Sequence, residues 1–138
     1  PDEILTEIKL PSAAGWKSSY WKLRRRGAFD FPVLGVAAAV KMAPDGTVEQ
    51  ARIALGGVAS RPFLVDKAGA LLTGRRLCDD AIAEVGGLVA SRAKPMDNTD
   101  MEIYWRKSVV TSFVAHALKE VRGDDMRATR FRIARQAL

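Results

Sequence analysis

A turn between two strand-like segments constrains this chain more than any other feature. Pro32 to Met42 is almost wholly apolar, and residues 43–46, Ala-Pro-Asp-Gly, form a strong turn signal. Proline presets φ at such a turn, and glycine accepts a positive φ. Thr47 to Leu55 then alternates apolar and polar positions, the period of a strand. The two segments predict a β-hairpin, and the first of them is apolar enough to be a central strand.

Two more strands are predicted before this hairpin. Glu3 to Leu10 alternates apolar with polar residues and is followed by Pro11, which ends the pattern. Trp16 to Arg26 contains three large aromatic residues, a type that favours strands. The chain has no initiator methionine and begins inside a strand-like segment, so we expect a fragment or a processed piece of a longer protein.

The second half of the chain predicts helices. Thr99 or Asp100 is the expected N-cap of the longest helix, and Gly86-Gly87 inside another helix suggests close packing at that point. The predicted segments are Pro62–Leu72, Asp79–Ala93, Met101–Val121 and a short one within Asp124–Leu138. Strands followed by helices predict an α+β fold: an antiparallel sheet of three to four strands, then three helices packed on one face. We divide the chain into a domain at residues 1–122 and a basic tail at residues 123–138.

Composition and motifs exclude several classes of protein. No apolar run reaches the roughly 20 residues that span a bilayer. One cysteine, Cys78, rules out a disulfide framework within the chain and fits a reduced, cytoplasmic setting. Glycine-rich nucleotide loops, zinc-protease motifs and hydrolase nucleophile motifs are absent from the sequence. The single histidine, His116, has no second His or Cys for a metal cluster, so we interpret it as a packed or surface side chain. No catalytic residue and no metal ligand is predicted.

The most unusual local sequence is Trp16 to Arg26, in which three large aromatics and five cations lie within eleven residues. It is consistent with nucleic-acid binding, with a cradle for the electron-rich part of a cofactor, or with an edge strand whose cations face solvent. The net charge of +6 and the arginines from Arg127 to Arg135 permit the nucleic-acid hypothesis without establishing it. A solvated helical end or a contact with a partner subunit explains the arginines at least as well.

Several blocks resemble the C-terminal domain of the FAD-binding medium subunit of molybdenum hydroxylases, the family of xanthine dehydrogenase, carbon monoxide dehydrogenase and 4-hydroxybenzoyl-CoA reductase. Residues 2–11, Asp-Glu-Ile-Leu-Thr-Glu-Ile-Lys-Leu-Pro, resemble the strand that opens that domain. Tyr20-Trp21-Lys22 with Arg26 and Asp30 resembles its aromatic-Lys-xxx-Arg-xxx-Asp segment. Further blocks are Phe31–Val40, Ala51–Ala59 and Tyr104–Lys107, and they follow the family's order from about Pro1 to about Val121.

The resemblance implies a CO dehydrogenase flavoprotein C-terminal-domain-like sandwich that caps FAD and helps to relay electrons from 2Fe-2S clusters through FAD to an acceptor. It implies flavin contacts from Ile4 and Leu5, a cation at the pyrimidine end of the ring from Lys22, and weaker roles for Arg26 and Asp30, which pair with each other or gate the acceptor side. Arg52, Tyr104 and Arg106 are interpreted as structural or interface residues.

The implied partners are the N-terminal FAD-binding domain of the same subunit, a molybdopterin large subunit and an iron–sulfur small subunit. No membrane partner is expected. We expect this oxidoreductase component to be inactive alone. A basic nucleic-acid-binding module or a subunit-assembly module without cofactor is the alternative.

Overall fold

The computed structural model describes residues 2–26, 30–97 and 101–135. Four strands are followed by four helices. The strands are β1 (Trp16–Leu23), β2 (Leu34–Met42), β3 (Val48–Gly56) and β4 (Phe63–Leu64), and the helices are α1 (Asp66–Leu72), α2 (Asp79–Arg92), α3 (Ile103–Arg122) and α4 (Arg127–Arg135). This order confirms the predicted α+β fold. The division at residues 122 and 123 stays a prediction.

The sheet is antiparallel with the order β1-β2-β3-β4, so neighbours in the chain are neighbours in the sheet. The predicted hairpin is confirmed as β2 and β3, joined by the turn at residues 43–46. Gly46 adopts a φ of +80°, and the Asp45 carboxylate accepts from the backbone N–H of Thr47 at 2.9 Å. A positive φ at glycine and a hydrogen bond between the aspartate side chain and the backbone are both expected of an Asp-Gly turn.

The core lies on one side of the sheet. Alternate side chains of the strands, including Trp21, Val36 and Ile53, are buried on the side that α1 and α3 cover. The helices α2 and α3 pack against each other. Gly86 lets these two helices approach, because an added Cβ would lie 3.0 Å from Cγ2 of Thr111 on α3. The expected close packing is therefore confirmed at Gly86, whereas a Cβ on Gly87 would meet nothing within 4 Å.

Two predicted elements are corrected. Glu3 to Leu10 is not a strand: the whole segment is exposed, and it pairs with no described strand. The alternation of apolar and polar residues predicts a strand with one buried face, but a strand also needs a neighbouring strand with which to pair. The helix predicted from Pro62 begins at Asp66, because Phe63 and Leu64 first pair with β3 as an edge strand.

The predicted strand from Trp16 to Arg26 ends earlier, because β1 stops at Leu23. The remaining bounds differ by one or two residues. α2 ends at Arg92, and α3 runs from Ile103 to Arg122. The proposed caps Thr99 and Asp100 lie outside the described residues, and Glu102 occupies the N-cap position without a side-chain capping bond. Gly123 ends α3 in the left-handed conformation, with a φ of +114°. No described helix combines the length and the hydrophobicity that crossing a bilayer requires.

Candidate functional site

The second face of the sheet is covered by none of the described helices and has a floor of small residues. In the strand register, Tyr20 lies beside Ala37, Ala37 beside Ala54, and Ala54 beside Leu64. The adjacent row contains Lys22, Gly35 and Gly56. Because side chains alternate across a strand, these residues share the face opposite the core. The middle strands therefore present only Cβ atoms or bare backbone between Tyr20 and Leu64.

Two adjoining hollows, which we call the open groove, follow this floor. Their volumes are about 290 and 270 Å³, and they share Tyr20, Ala37 and Ala54. Each volume is near the lower end of the roughly 300–1,000 Å³ that is usual for small-molecule sites. The first is also lined by Ser18, Ser19, Ala38, Ala39, Arg52 and Leu64, and the second by Pro32, Gly35, Leu55, Gly56, Gly57 and Pro62.

Tyr20 forms one wall of the open groove. Its side chain lies over Gly35, where an added Cβ would be 2.9 Å from the phenol oxygen. Tyr20 remains 54% exposed, so its ring is available to a second surface. Arg52 stands on the same face, with its guanidinium carbon 5.0 Å from the ring centre of Trp16. The open groove thus combines an apolar floor with an aromatic wall and a cation.

Arg106 fixes one end of the open groove from the core side. This arginine of α3 is only 2% exposed and donates to the carbonyl oxygens of Gly57 at 2.6 Å, Met96 at 2.8 Å and Val33 at 3.4 Å. Gly57 has a φ of +78°, and an added Cβ there would meet the Pro32 carbonyl oxygen at 2.9 Å. The interpretation of Arg106 as a structural residue is confirmed, because it ties three chain segments together.

Lys22 lies at the border of the open groove. It is partly buried, faces the same side as Tyr20 and pairs with Gly35 in the sheet. It also lines a small hollow of about 60 Å³ beside Arg24 and Arg130. A cation at the edge of an apolar floor can stabilise negative charge on a ring that lies there.

Arg26 and Asp30 pair with each other, as one of the two alternatives expected. The guanidinium donates to the carboxylate at 3.0 and 3.2 Å, and the backbone N–H of Arg26 donates to it at 3.0 Å. These bonds hold the pKa of Asp30 well below its usual range. The pair therefore connects the end of β1 to the segment that enters β2.

Ile4 and Leu5 are not brought to this site. Their exposed fractions are 86% and 79%, and no described contact joins either of them to Lys22. Of the five predicted cofactor-binding residues, the structure therefore gathers Lys22, Arg26 and Asp30 near the same end of the sheet. The cofactor contacts of all five stay predictions.

Glu120 is the centre of a polar cluster that the sequence did not reveal. Its carboxylate accepts from the Ser19 hydroxyl, from Nε1 of Trp21 at 3.0 Å and from Nε of Arg130 at 2.7 Å. Chiefly because of the Arg130 bonds, the pKa of Glu120 falls to about 2. Ser19 is the available signal, since it is a polar residue on the core-facing side of β1. The cluster joins β1, α3 and α4.

The other reactive side chains have structural surroundings. His116 is partly buried with its ring centre 4.9 Å from Trp21 and 5.7 Å from Phe113, and burial lowers its pKa. This confirms the interpretation of a packed imidazole. Arg122 bridges Asp79 at 2.7 Å and Asp124 at 2.5 Å, so neither carboxylate is set up for acid–base work. Within the described ranges, no three His, Cys, Asp or Glu side chains are grouped to hold a metal ion.

Comparison with known proteins gives a consistent result. The sequence model of the CO dehydrogenase flavoprotein C-terminal domain matches residues 18–121. The chain is 31% identical over 119 residues to the glyceraldehyde dehydrogenase medium chain of Sulfolobus acidocaldarius, which covers 86% of the chain and 42% of that protein. It is 33% identical over 117 residues to the aldehyde oxidoreductase FAD-binding subunit PaoB of Escherichia coli, covering 85% of the chain and 33% of that subunit.

Solved structures share the fold. A carbon monoxide dehydrogenase from Hydrogenophaga pseudoflava superposes with a TM-score of 0.73 at 25% identity, over 80% of this chain and 38% of that one. Reconstituted CO dehydrogenase from Oligotropha carboxidovorans gives a TM-score of 0.74 at 23% identity, over 83% of this chain and 39% of that one. The chain thus spans between a third and about two-fifths of the length of the curated relatives it matches.

Proposed function

Because the chain belongs to the CO dehydrogenase flavoprotein C-terminal domain family, we propose that it closes over the flavin in the FAD-binding subunit of a molybdenum hydroxylase. In that role it helps electrons to pass from the 2Fe-2S clusters of one partner subunit through FAD to an acceptor. The molybdopterin subunit carries out the substrate chemistry. The remainder of the FAD-binding subunit, cytoplasmic in this proposal, supplies most of the flavin site.

The open groove is the observation that supports this proposal best. Its floor of Ala37, Ala54 and Gly56 is flat because none of these residues extends beyond Cβ, whereas Gly35 lies beneath the Tyr20 side chain. An apolar planar ring can approach such a floor closely, and Tyr20 offers an aromatic surface at its side. A longer side chain at these positions would fill the space that a ring needs. The residues present therefore fit a flavin ring system.

Each of the five site residues has a proposed role. Lys22 holds negative charge at the pyrimidine end of the ring, and the Arg26–Asp30 pair positions the segment next to it. Ile4 and Leu5 contact the flavin from the exposed segment before β1, partly through backbone. When bound, the flavin supplies the ability to accept two electrons and release them singly. Because the remainder of the subunit supplies most of the flavin site, the isolated domain is expected to bind FAD weakly and to be inactive.

Lys22→Ala in the complete FAD-binding subunit tests this proposal. Loss of the cation removes stabilisation of the reduced, negatively charged ring, so the midpoint potential of the flavin is expected to fall and its reduction to slow. Redox titration and stopped-flow reduction measure the two effects. Lys17→Ala is the matched control, because Lys17 is an exposed lysine of the same strand on the opposite side of the sheet. Equal potentials and equal reduction rates in the two variants would contradict the role of Lys22.

The open groove itself has a separate test. Ala54→Trp places a large ring on the floor and is expected to reduce the flavin content of the purified subunit, measured by absorbance after gel filtration. If this variant retains full flavin, the groove is not the surface that the cofactor contacts. Gln50→Trp is the control, since Gln50 lies on the same face of β3 but does not line the open groove.

A further inference from the structure

A second, cation-rich groove runs between the end of β1 and α4. It has a volume of about 60 Å³ and is lined by Trp21, Lys22, Arg24, Arg130, Ile133 and Ala134. One side of this β1–α4 groove is formed by α4, which lies beyond residues 18–121, the part that matches the family. Family membership therefore assigns no role to this helix, and of the residues that line the groove only Lys22 has a role in the proposed function.

α4 is held firmly against the domain. Arg130 donates to the Glu120 carboxylate and to the carbonyl oxygen of Tyr20, the latter at 3.2 Å on the outer edge of β1. Its guanidinium carbon is 4.1 Å from the ring centre of the buried Trp21. One side chain thus makes a charge-assisted bond, an edge-strand bond and a cation–π contact. The other arginines of α4 therefore extend from a helix whose position on the domain is fixed.

The positive charge around the β1–α4 groove is not balanced within the described part of the chain. α4 contains four arginines and no acidic residue. Glu120, the nearby carboxylate, already accepts from Arg130, Ser19 and Trp21. Within the described ranges, neither Lys22 nor Arg24 forms an ion pair, and the exposed Arg132 and Arg135 form none either. Such a surface favours a negatively charged partner.

The aromatic residues argue for a protein partner over a single-stranded nucleic acid. Binding of single strands needs free aromatic faces on which bases stack. At the β1–α4 groove, Arg130 covers the buried Trp21, and Arg135 lies over one face of Phe131 at 4.0 Å. The groove volume of about 60 Å³ suits a carboxylate and is small for a base. Aspartate and glutamate side chains therefore match the groove better than nucleotides do.

We propose that the β1–α4 groove and the arginines of α4 around it form a docking surface for an acidic segment of another subunit of the same enzyme. One carboxylate of that segment enters the groove, and Arg132 and Arg135 contact further carboxylates at its rim. The proposal rests on the proposed function in one respect, because it takes the partner from the assembled molybdenum hydroxylase.

The test uses the complete FAD-binding subunit and its purified partner subunits. Arg132→Glu combined with Arg135→Glu reverses two charges on α4 without touching the open groove. Arg61→Glu combined with Arg92→Glu is the matched control, because both arginines are exposed and lie away from α4. We expect the α4 variant to bind the partner subunits roughly tenfold more weakly than the control at low salt, with a shallower dependence of affinity on salt.

Three outcomes decide between the possibilities. Equal affinity and equal salt dependence in the two double variants overturn the docking surface. Salt-dependent binding of single-stranded DNA by the wild-type subunit, lost in the α4 variant, also overturns it in favour of nucleic acid. Selective loss of partner affinity with unchanged flavin content supports it. Absence of flavin from the wild-type subunit would instead count against the proposed function, so the two failures are distinguishable.

Discussion

Replacement of Arg106 tests how the end of the open groove is held. In Arg106→Met, a side chain of similar length fills the space but donates no hydrogen bond. The carbonyl oxygens of Gly57 and Met96 lose donors at 2.6 and 2.8 Å, and that of Val33 loses a longer contact at 3.4 Å. The change therefore removes a charge-assisted link between three chain segments, while the apolar packing around α3 is largely kept.

The magnitude follows from these contacts. Hydrogen bonds to a charged group contribute about 1.5–3 kcal/mol each, and the lower value applies because burying the guanidinium has its own cost. The two short bonds then give a loss of about 3 kcal/mol in the free energy of unfolding, with little from the third. For a domain of this size, such a loss lowers the melting temperature by about 10 °C. Arg106→Lys keeps the charge but has no planar fork, so an intermediate loss is expected.

Chemical denaturation of the chain measures the free energy of unfolding directly. Arg92→Met is the control, since Arg92 is exposed at the end of α2 and its replacement is expected to change that free energy by less than about 0.5 kcal/mol. If Arg106→Met were as stable as this control, the carbonyl contacts would not be holding the segments together. Equal stability of Arg106→Lys and wild type would show that charge alone, without the fork, is sufficient.

Three further predictions concern other contacts. Glu120→Gln is expected to cost about 1–2 kcal/mol near neutral pH, allowing for the partial exposure of the site. Because the pKa of Glu120 is lowered from 4.5 to about 2, the carboxylate's contribution is complete above the ordinary value and is lost as pH falls toward 2. Urea denaturation at several pH values should therefore show the wild type and Glu120→Gln converging in acid, and a constant difference would contradict this. Gly57→Ala should destabilise the chain by roughly 2 kcal/mol, more than Gly74→Ala does. Both glycines have a φ of +78°, but only at Gly57 would the added Cβ lie 2.9 Å from the Pro32 carbonyl oxygen. Equal losses of stability in the two variants, measured by thermal unfolding, would contradict the importance of this contact. Ala54→Val should leave the stability of the chain unchanged or raised, since valine favours strands, yet weaken flavin binding by the complete subunit; unaltered flavin affinity would be the contrary result.

Much of the architecture is predictable because its signals are local. The turn at residues 43–46 determines the β2–β3 hairpin, and the periodicity of the second half places α2 and α3 within two residues of their observed bounds. Strand pairing is less predictable, because it depends on segments that are distant in the sequence. Glu3–Leu10 has a strand pattern without a described partner, whereas Phe63 and Leu64 pair with β3 although two residues carry almost no pattern.

The contacts of the candidate site also differ in how far local sequence predicts them. Lys22, Arg26 and Asp30 are predicted from a motif in one short segment, in which spacing is preserved. The Glu120 cluster joins residues about 100 positions apart, and Arg106 acts on carbonyl oxygens, which every residue possesses. Apart from Ser19, a polar residue on the core-facing side of β1, neither interaction leaves a pattern in a single sequence. Contacts between distant segments become visible only when the sheet brings β1 beside α3 and α4.

The residues on the sheet face opposite the core are not those that would make the sheet most stable. An antiparallel sheet exposed on one side usually alternates core residues with polar or β-branched ones, which pack across strands and raise its stability. Here Ala37 and Ala54 occupy the centre of that face, beside Gly35, which the Tyr20 side chain covers. Local rules of this kind are most often broken at functional sites. The small residues keep the floor open, while Arg106 holds its end from the opposite side of the sheet. The proposed flavin accounts for both features, since a planar ring needs a flat floor and a fixed position on it.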